Sequence, residues 1–237
     1  MEALVWCTTC AIVKWNWGSL TRQGAKAPDP GSPFGAGKMT EMRNICVKAV
    51  HDYWHQIRPE GGLPHRSDFS PADLAKCLPN IFLYERNLPG GDAPPDYVVR
   101  LAGTRLVENF GIEVTGGSVF DFVSAEAVEF FRSLYECVLN HPAGLLLYFS
   151  LMTAENQESE LEFLYLPLLL DKGGDESGLI LGVAASTDDH RWLDNMGGRW
   201  DTPELISGGW LDLGFGKPDD PFLQNACAAA GADYKDY

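Results

Sequence analysis

His51-Asp52-Tyr53-Trp54-His55 sets two imidazoles one helical turn apart with a carboxylate beside the first, the spacing of a helix-borne zinc site with an acid placed as general base. Such a site needs a third ligand and an open coordination position, and no obvious third ligand accompanies the pair. Turning about 100° per residue from Met42, Tyr53 falls near ~20° while His51 and His55 fall near ~180° and ~220°, so both rings leave the apolar stripe and read as solvated surface. Cys7-Thr8-Thr9-Cys10 has a metal or redox spacing, but no second closely spaced pair accompanies it to complete a zinc set. Gly35-Ala36-Gly37-Lys38 suggests a phosphate loop, yet Ser32 stands at the earlier glycine position, Met39 at the Ser/Thr position, and prolines where a strand should lead in. The expectation is that the chain is not an enzyme and binds no metal. The alternative is a small metal-dependent hydrolase using His51, Asp52 and His55, which predicts stoichiometric zinc.

Composition narrows the partners. The 237 residues carry a formal net charge of −15, so the long-range field repels nucleic-acid phosphates and anionic membrane surfaces; no nucleic acid and no membrane insertion are expected. The longest early apolar run, from Ala3 to Val13, is interrupted by Cys and Thr, is too short to span a bilayer, and is preceded by Glu2 rather than by positive charge. A cytoplasmic location follows as an expectation. The six cysteines are spread through a chain large enough to need no disulfide framework, so most should be reduced thiols.

The elements that must position any site read as follows. Residues 1–38 end in a run rich in Pro and Gly and read as a variable or disordered extension, with Met39 and Met42 as rival starts to Met1. From Glu41 to Arg58, Met42, Ile45, Cys46, Ala49, Tyr53 and Ile57 recur at helical spacing, with Val50 and Trp54 widening one flank. Ser70-Pro71-Ala72-Asp73 opens a second, short helix. Strands over Asn80 to Arg86 and from Tyr97 form a hairpin. The second strand runs without a linker into a helix capped by Thr104 and ended by Gly111. Ser124 caps a longer helix on which Val128, Phe131, Tyr135 and Val138 share a face. Leu145 to Thr153, Leu161 to Leu170 and Leu179 to Ser186 then make an antiparallel meander, the last apolar or small on both faces as a central strand requires. Pro167 cannot donate to a ladder and belongs at a bulge or where pairing lapses. Beyond Asp188, Gly, Asp and the isolated Trp192, Trp200 and Trp210 suggest a tail, partly ordered at most, draped over the domain.

This order resembles the PAS superfamily, above all its short bacterial proteins made mainly of one PAS domain. The matching stretches are Tyr53-Trp54 through Arg58-Pro59, Leu63-Pro64-His65-Arg66-Ser67-Asp68-Phe69 leading to Leu78-Pro79, Arg100-Leu101-Ala102-Gly103-Thr104-Arg105 with Phe110-Gly111 and Thr115-Gly116, and Leu166-Pro167-Leu168. The domain so delimited is 39–187, followed by the tail 188–237. The resemblance implies an α/β fold of α+β type: a five-stranded antiparallel sheet of order 2-1-5-4-3 with packed helices, often enclosing a small-molecule pocket. It makes Pro167 a family bulge. It also puts Gly173-Gly174-Asp175-Glu176-Ser177, which imitates the metal-holding loop of diguanylate cyclases, in an ordinary turn between the fourth and fifth strands.

On this arrangement Arg105, Asn109, Phe110, Phe131, Tyr135 and Tyr148 are the candidate ligand-binding residues, with Arg105 as the clamp for a carboxylate or phosphate. No cofactor is assigned: the short helix lacks the cysteine of flavin photosensors, and the long one lacks the histidine of haem-binding relatives. Val50 and Trp54 are the candidate interface. The expected function is a non-enzymatic sensory or regulatory module that signals by touching a protein partner, with a small ligand as modulator and a homodimer as one form of that contact. A constitutive scaffold is the remaining alternative.

Overall fold

A computed structural model of the chain describes residues 42–110, 113–123, 125–152, 158–171, 178–187, 204–219 and 221–237. The extension 1–38, the caps Gly111 and Ser124, the turn 172–177, Trp192 and Trp200 lie outside the described residues.

The first helix, α1 (Ile45–Ile57), starts where the side chain of Asn44 accepts from the Cys46 amide, and it buries Val47, Val50, Tyr53 and Trp54. The apolar stripe is therefore rotated from the expected one, and Ile45 is 80% exposed. Trp54 decides the rotation, because its indole N–H must find an acceptor once buried; it donates to the Pro167 carbonyl at 2.8 Å. The expected second helix is instead a series of 3-10 turns, Pro71–Leu74 and Leu78–Asn80, and Ser70 makes no side-chain cap.

These turns lead into β1 (Ile81–Asn87), which forms a hairpin with β2 (Asp96–Ala102). Then α2 (Thr104–Phe110) follows directly. The Gly103 carbonyl, ahead of Thr104, accepts the first helical bonds from Leu106 and Val107. Gly103 is also a close-approach position: a Cβ there would stand 2.3 Å from the carbonyl oxygens of Leu78 and Pro79. The longer α3 (Ala125–Asn140) precedes the meander β3 (Gly144–Met152), β4 (Glu158–Leu169) and β5 (Gly178–Ser186).

The sheet order is β2-β1-β5-β4-β3, as the resemblance implies, but two further strands extend it: β6 (Glu204–Leu211) pairs antiparallel with β3, and β7 (Asp233–Asp236) pairs parallel with β6. The sheet thus has seven strands rather than five. A helix, α4 (Pro221–Ala230), joins β6 to β7. The expected draped tail is corrected over these residues, since Trp210, Leu223 and Cys227 are fully buried. Its strand was concealed by Gly208 and Gly209, whose bareness admits the Leu147 and Leu223 side chains and the Lys235 backbone.

Pro167 sits at a lapse in pairing and not at a bulge. Its register with Ile180 on β5 is unbroken, while pairing to β3 stops at Tyr165. Helices cover both faces: α3 and α4 pack on the core containing Tyr135, Tyr165 and Trp210, and α1 packs on the core containing Leu146, Leu164 and Leu181.

Candidate functional site

At the amide end of α1 the sheet leaves a cleft of about 620 Å³. One wall is the start of α1 with Ile45, Cys46 and Ala49; the other is the 3-10 run from Ala72 to Asn80; Arg105 of α2 and Ser186 at the end of β5 close it. The α1 wall is anchored from below. Buried Glu162 on β4 accepts the Asn44 amide at 2.7 Å, the Arg43 amide at 3.1 Å and the Tyr148 hydroxyl at 2.6 Å. Asn44 adds a 2.6 Å bond from its carboxamide to the Ser186 carbonyl. Burial raises the Glu162 carboxyl above its usual value, against the lowering effect of the Tyr148 hydroxyl, the two amides and the Arg43 charge. Burial, with the neighbouring carboxylate, likewise raises the Tyr148 hydroxyl.

Inside the cleft, half-buried Arg105 and exposed Lys76 make no side-chain hydrogen bond or ion pair among the described residues. The Asn80 side-chain oxygen is buried with no partner among the described residues. Asp73 is the wall's carboxylate, and Ile45, Ala49, Leu74, Pro79 and Ala185 supply apolar surface. The two cations over an apolar floor suit a small organic anion, and the Asn80 oxygen, an acceptor, suits a donor group on the same molecule.

Of the candidate ligand residues whose side chains are described, the structure brings only Arg105 to this cleft. Phe131 and Tyr135 lie in the opposite core, where the Tyr135 ring packs 5.1 Å from Tyr97 and 5.5 Å from Tyr165. Tyr148 belongs to α1's side of the sheet, because successive strand residues point to opposite faces and Leu147 takes the inner one. Asn109 and Phe110 lie on α2, their side chains outside the described residues. As a set lining one interior the six are therefore corrected. Val50 and Trp54 are corrected as an interface, since both are 0% exposed beneath α1's own contacts.

His51 and His55 stand edge to face at 4.6 Å, with Asp52 beside His51 and also facing Lys48. Burial, with the nearby His51 and Arg58, lowers the His55 imidazole. Among the described residues no three His, Cys, Asp or Glu side chains gather as a metal site.

Sequence reasoning missed the most distinctive part of the cleft. Cys46 and Cys77, on its two walls, are joined by a disulfide with Cα atoms 5.2 Å apart. The reduced-thiol expectation holds for Cys137 and Cys227, and burial pushes the Cys227 thiol up to about 11. No local signal pairs Cys46 with Cys77. Glu162 carried only a weak one, a charge flanked by Leu161 and Phe163 but preceded in the same strand by Glu158 and Glu160.

A mixed sheet of this order, covered by helices on both faces and holding a cleft beside α1, defines a mixed α/β domain. The family model for the PAS domain matches residues 42–185, more than half of the chain, and the chain belongs to that family. No curated protein and no solved structure matches it. Among the described residues no helix is long and apolar enough to cross a membrane.

Proposed function

We propose that this PAS protein is a non-enzymatic, cytoplasmic regulatory module that signals by contact with a separate protein, its contact biased by a small organic anion held at Arg105. The observation that carries the reading is a half-buried guanidinium lining a cleft without a partner among the described residues, in a chain whose net charge is −15. So acidic a chain has carboxylates to spare for neutralising a structural arginine, and a fork of donors left open in a partly apolar cleft fits a carboxylate or phosphate. Family membership supports the regulatory part, since PAS domains sense ligands or mediate signalling contacts and rarely catalyse.

Titration calorimetry with succinate, citrate and inorganic phosphate separates the two anion chemistries. Binding by wild type that Arg105→Ala weakens at least about tenfold, the loss of one charge-assisted contact, supports the site. Absence of binding by all three anions, or equal binding by the variant, removes it. Crosslinking in native cells, repeated with the bound anion added, tests the contact: capture unaffected by the anion would indicate a constitutive scaffold, and capture of a second copy alone a homodimer.

A further inference from the structure

The two walls of the cleft meet at Tyr53 of α1, whose hydroxyl accepts the Ser70 amide at 2.7 Å, and in the core shared by Val50, Phe69 and Leu74, and each has a further fastening of its own. The α1 wall hangs on Glu162 and Ser186 through Arg43 and Asn44. The 3-10 wall rests on the β2–α2 junction, where Leu78 and Pro79 close over bare Gly103. Cys46 and Cys77 are the covalent link between the two walls. A disulfide in that position is not needed to assemble either wall, in a chain long enough to bury two cores. At the mouth of the cleft it adds a covalent limit to how far apart the walls can stand, beyond the Tyr53 and core contacts.

We infer that Cys46–Cys77 is a thiol–disulfide exchange site, cut by dithiol reductants and re-formed by disulfide oxidants, and that its two states hold and release the cleft beside Arg105. The inference takes the cleft from the proposed function, but its chemistry does not depend on what the cleft binds. Access favours it: both sulfur-bearing residues line the open cleft, Cys46 half-buried and Cys77 on the facing wall 7% exposed. Cys227, by contrast, is fully enclosed.

Reduction balances as follows. One thiolate of a dithiol attacks Sγ of Cys46, the S–S bond breaks, and Cys77 leaves as a thiolate that takes up a proton. The reductant's second thiolate then attacks its own sulfur in the mixed disulfide and expels Cys46, which is protonated in turn. The protein gains two electrons and two protons, and the dithiol becomes a cyclic disulfide. Cys46 departs at the amide end of α1, where the helix stabilises negative charge on the leaving sulfur.

The test uses the full chain equilibrated across dithiothreitol redox buffers, trapped with N-ethylmaleimide and mapped by peptide mass spectrometry, with hydrogen exchange measured on the same samples. Cys46 and Cys77 should gain label together in one two-electron step while Cys227 stays unlabelled. Amides of residues 72–80 should then exchange about tenfold faster on reduction, as local opening requires. Cys46→Ser combined with Cys77→Ser should show the fast exchange in every buffer; if that variant does not fold, the two redox states of wild type decide. Labelling of one cysteine without the other, both thiols reactive in air-equilibrated protein, or identical exchange in both states would overturn the inference. No anion enters this experiment, so its failure leaves the Arg105 titration standing, and the converse holds.

Discussion

At the scale of single residues, Glu162 is the costliest choice in the chain: a carboxylate with no solvent exposure, accepting from two amides and a phenol. Those donors make it the fastening of α1, and removing them as a group is expensive. Glu162→Leu strands the amides of Arg43 and Asn44 and the Tyr148 hydroxyl, and is expected to cost about 2–4 kcal/mol in urea unfolding. Its pH dependence has a definite sign. Because burial raises the folded carboxyl above the ordinary value of 4.5, the folded state holds this proton more tightly than the unfolded chain does. The contribution is present in full below that ordinary value and is lost as pH rises through the folded value. Glu162→Gln, which keeps an oxygen for the amides and cannot ionise, should flatten this part of the stability–pH curve; an unchanged slope would mean that other carboxyls set it.

Elements are held together by contacts that cross between them, and two of these are open to direct measurement. Trp54 fixes α1 to β4 through the Pro167 carbonyl. Trp54→Phe should cost about 1 kcal/mol for the lost bond, and Trp54→Ala about 3–5 kcal/mol for the vacated volume. An interface residue would show the opposite pattern, with stability unmoved and partner binding lost. At the β2–α2 junction, Gly103→Ala forces a methyl against two carbonyls and is expected to destabilise by about 1–3 kcal/mol or more, read as a lower urea midpoint at constant m-value. The junction itself was legible because Tyr97, Val98, Val99 and Leu101 have the β-branched and apolar character of a strand and give way at Gly103. The cap was misassigned for a related reason: Thr104 has the right chemistry, but only Gly103 fits beneath the 3-10 turns, and that crowding is a tertiary fact. Likewise the apolar period announced α1, while its rotation depended on an acceptor more than a hundred residues away on β4.

For the whole molecule, the hairpin and the three-strand meander were legible because apolar strands separated by short turns permit only antiparallel neighbours, whereas the order 2-1-5-4-3 followed from the family resemblance. The strands β6 and β7 were not, because their residues bury through what lies opposite them and not through their own periodicity. The cleft was half legible: Arg105 was the candidate anion clamp on the arrangement the resemblance implies, whereas the Cys46–Cys77 pairing exists only once α1 and the 3-10 run are folded against each other. The added strands also carry load. With β6 in place the β3 edge is covered, Trp210 and Leu223 complete the core under α3 and α4, and the chain after β6 returns to α1, where Arg58 donates to the Leu213 carbonyl and lies 5.7 Å from the Phe215 ring centre. Each fully buried apolar side chain so removed is worth on the order of 1.5–3 kcal/mol, and an uncovered strand edge invites intermolecular pairing. A chain ending at residue 187 would keep the five-stranded order and lose both protections. It is therefore expected to elute as aggregate in size-exclusion chromatography and to unfold without a sharp urea transition, while the full chain elutes as a discrete species. A monodisperse, cooperatively unfolding truncation would show instead that the five strands are self-sufficient and that β6, α4 and β7 are an attachment to a finished domain.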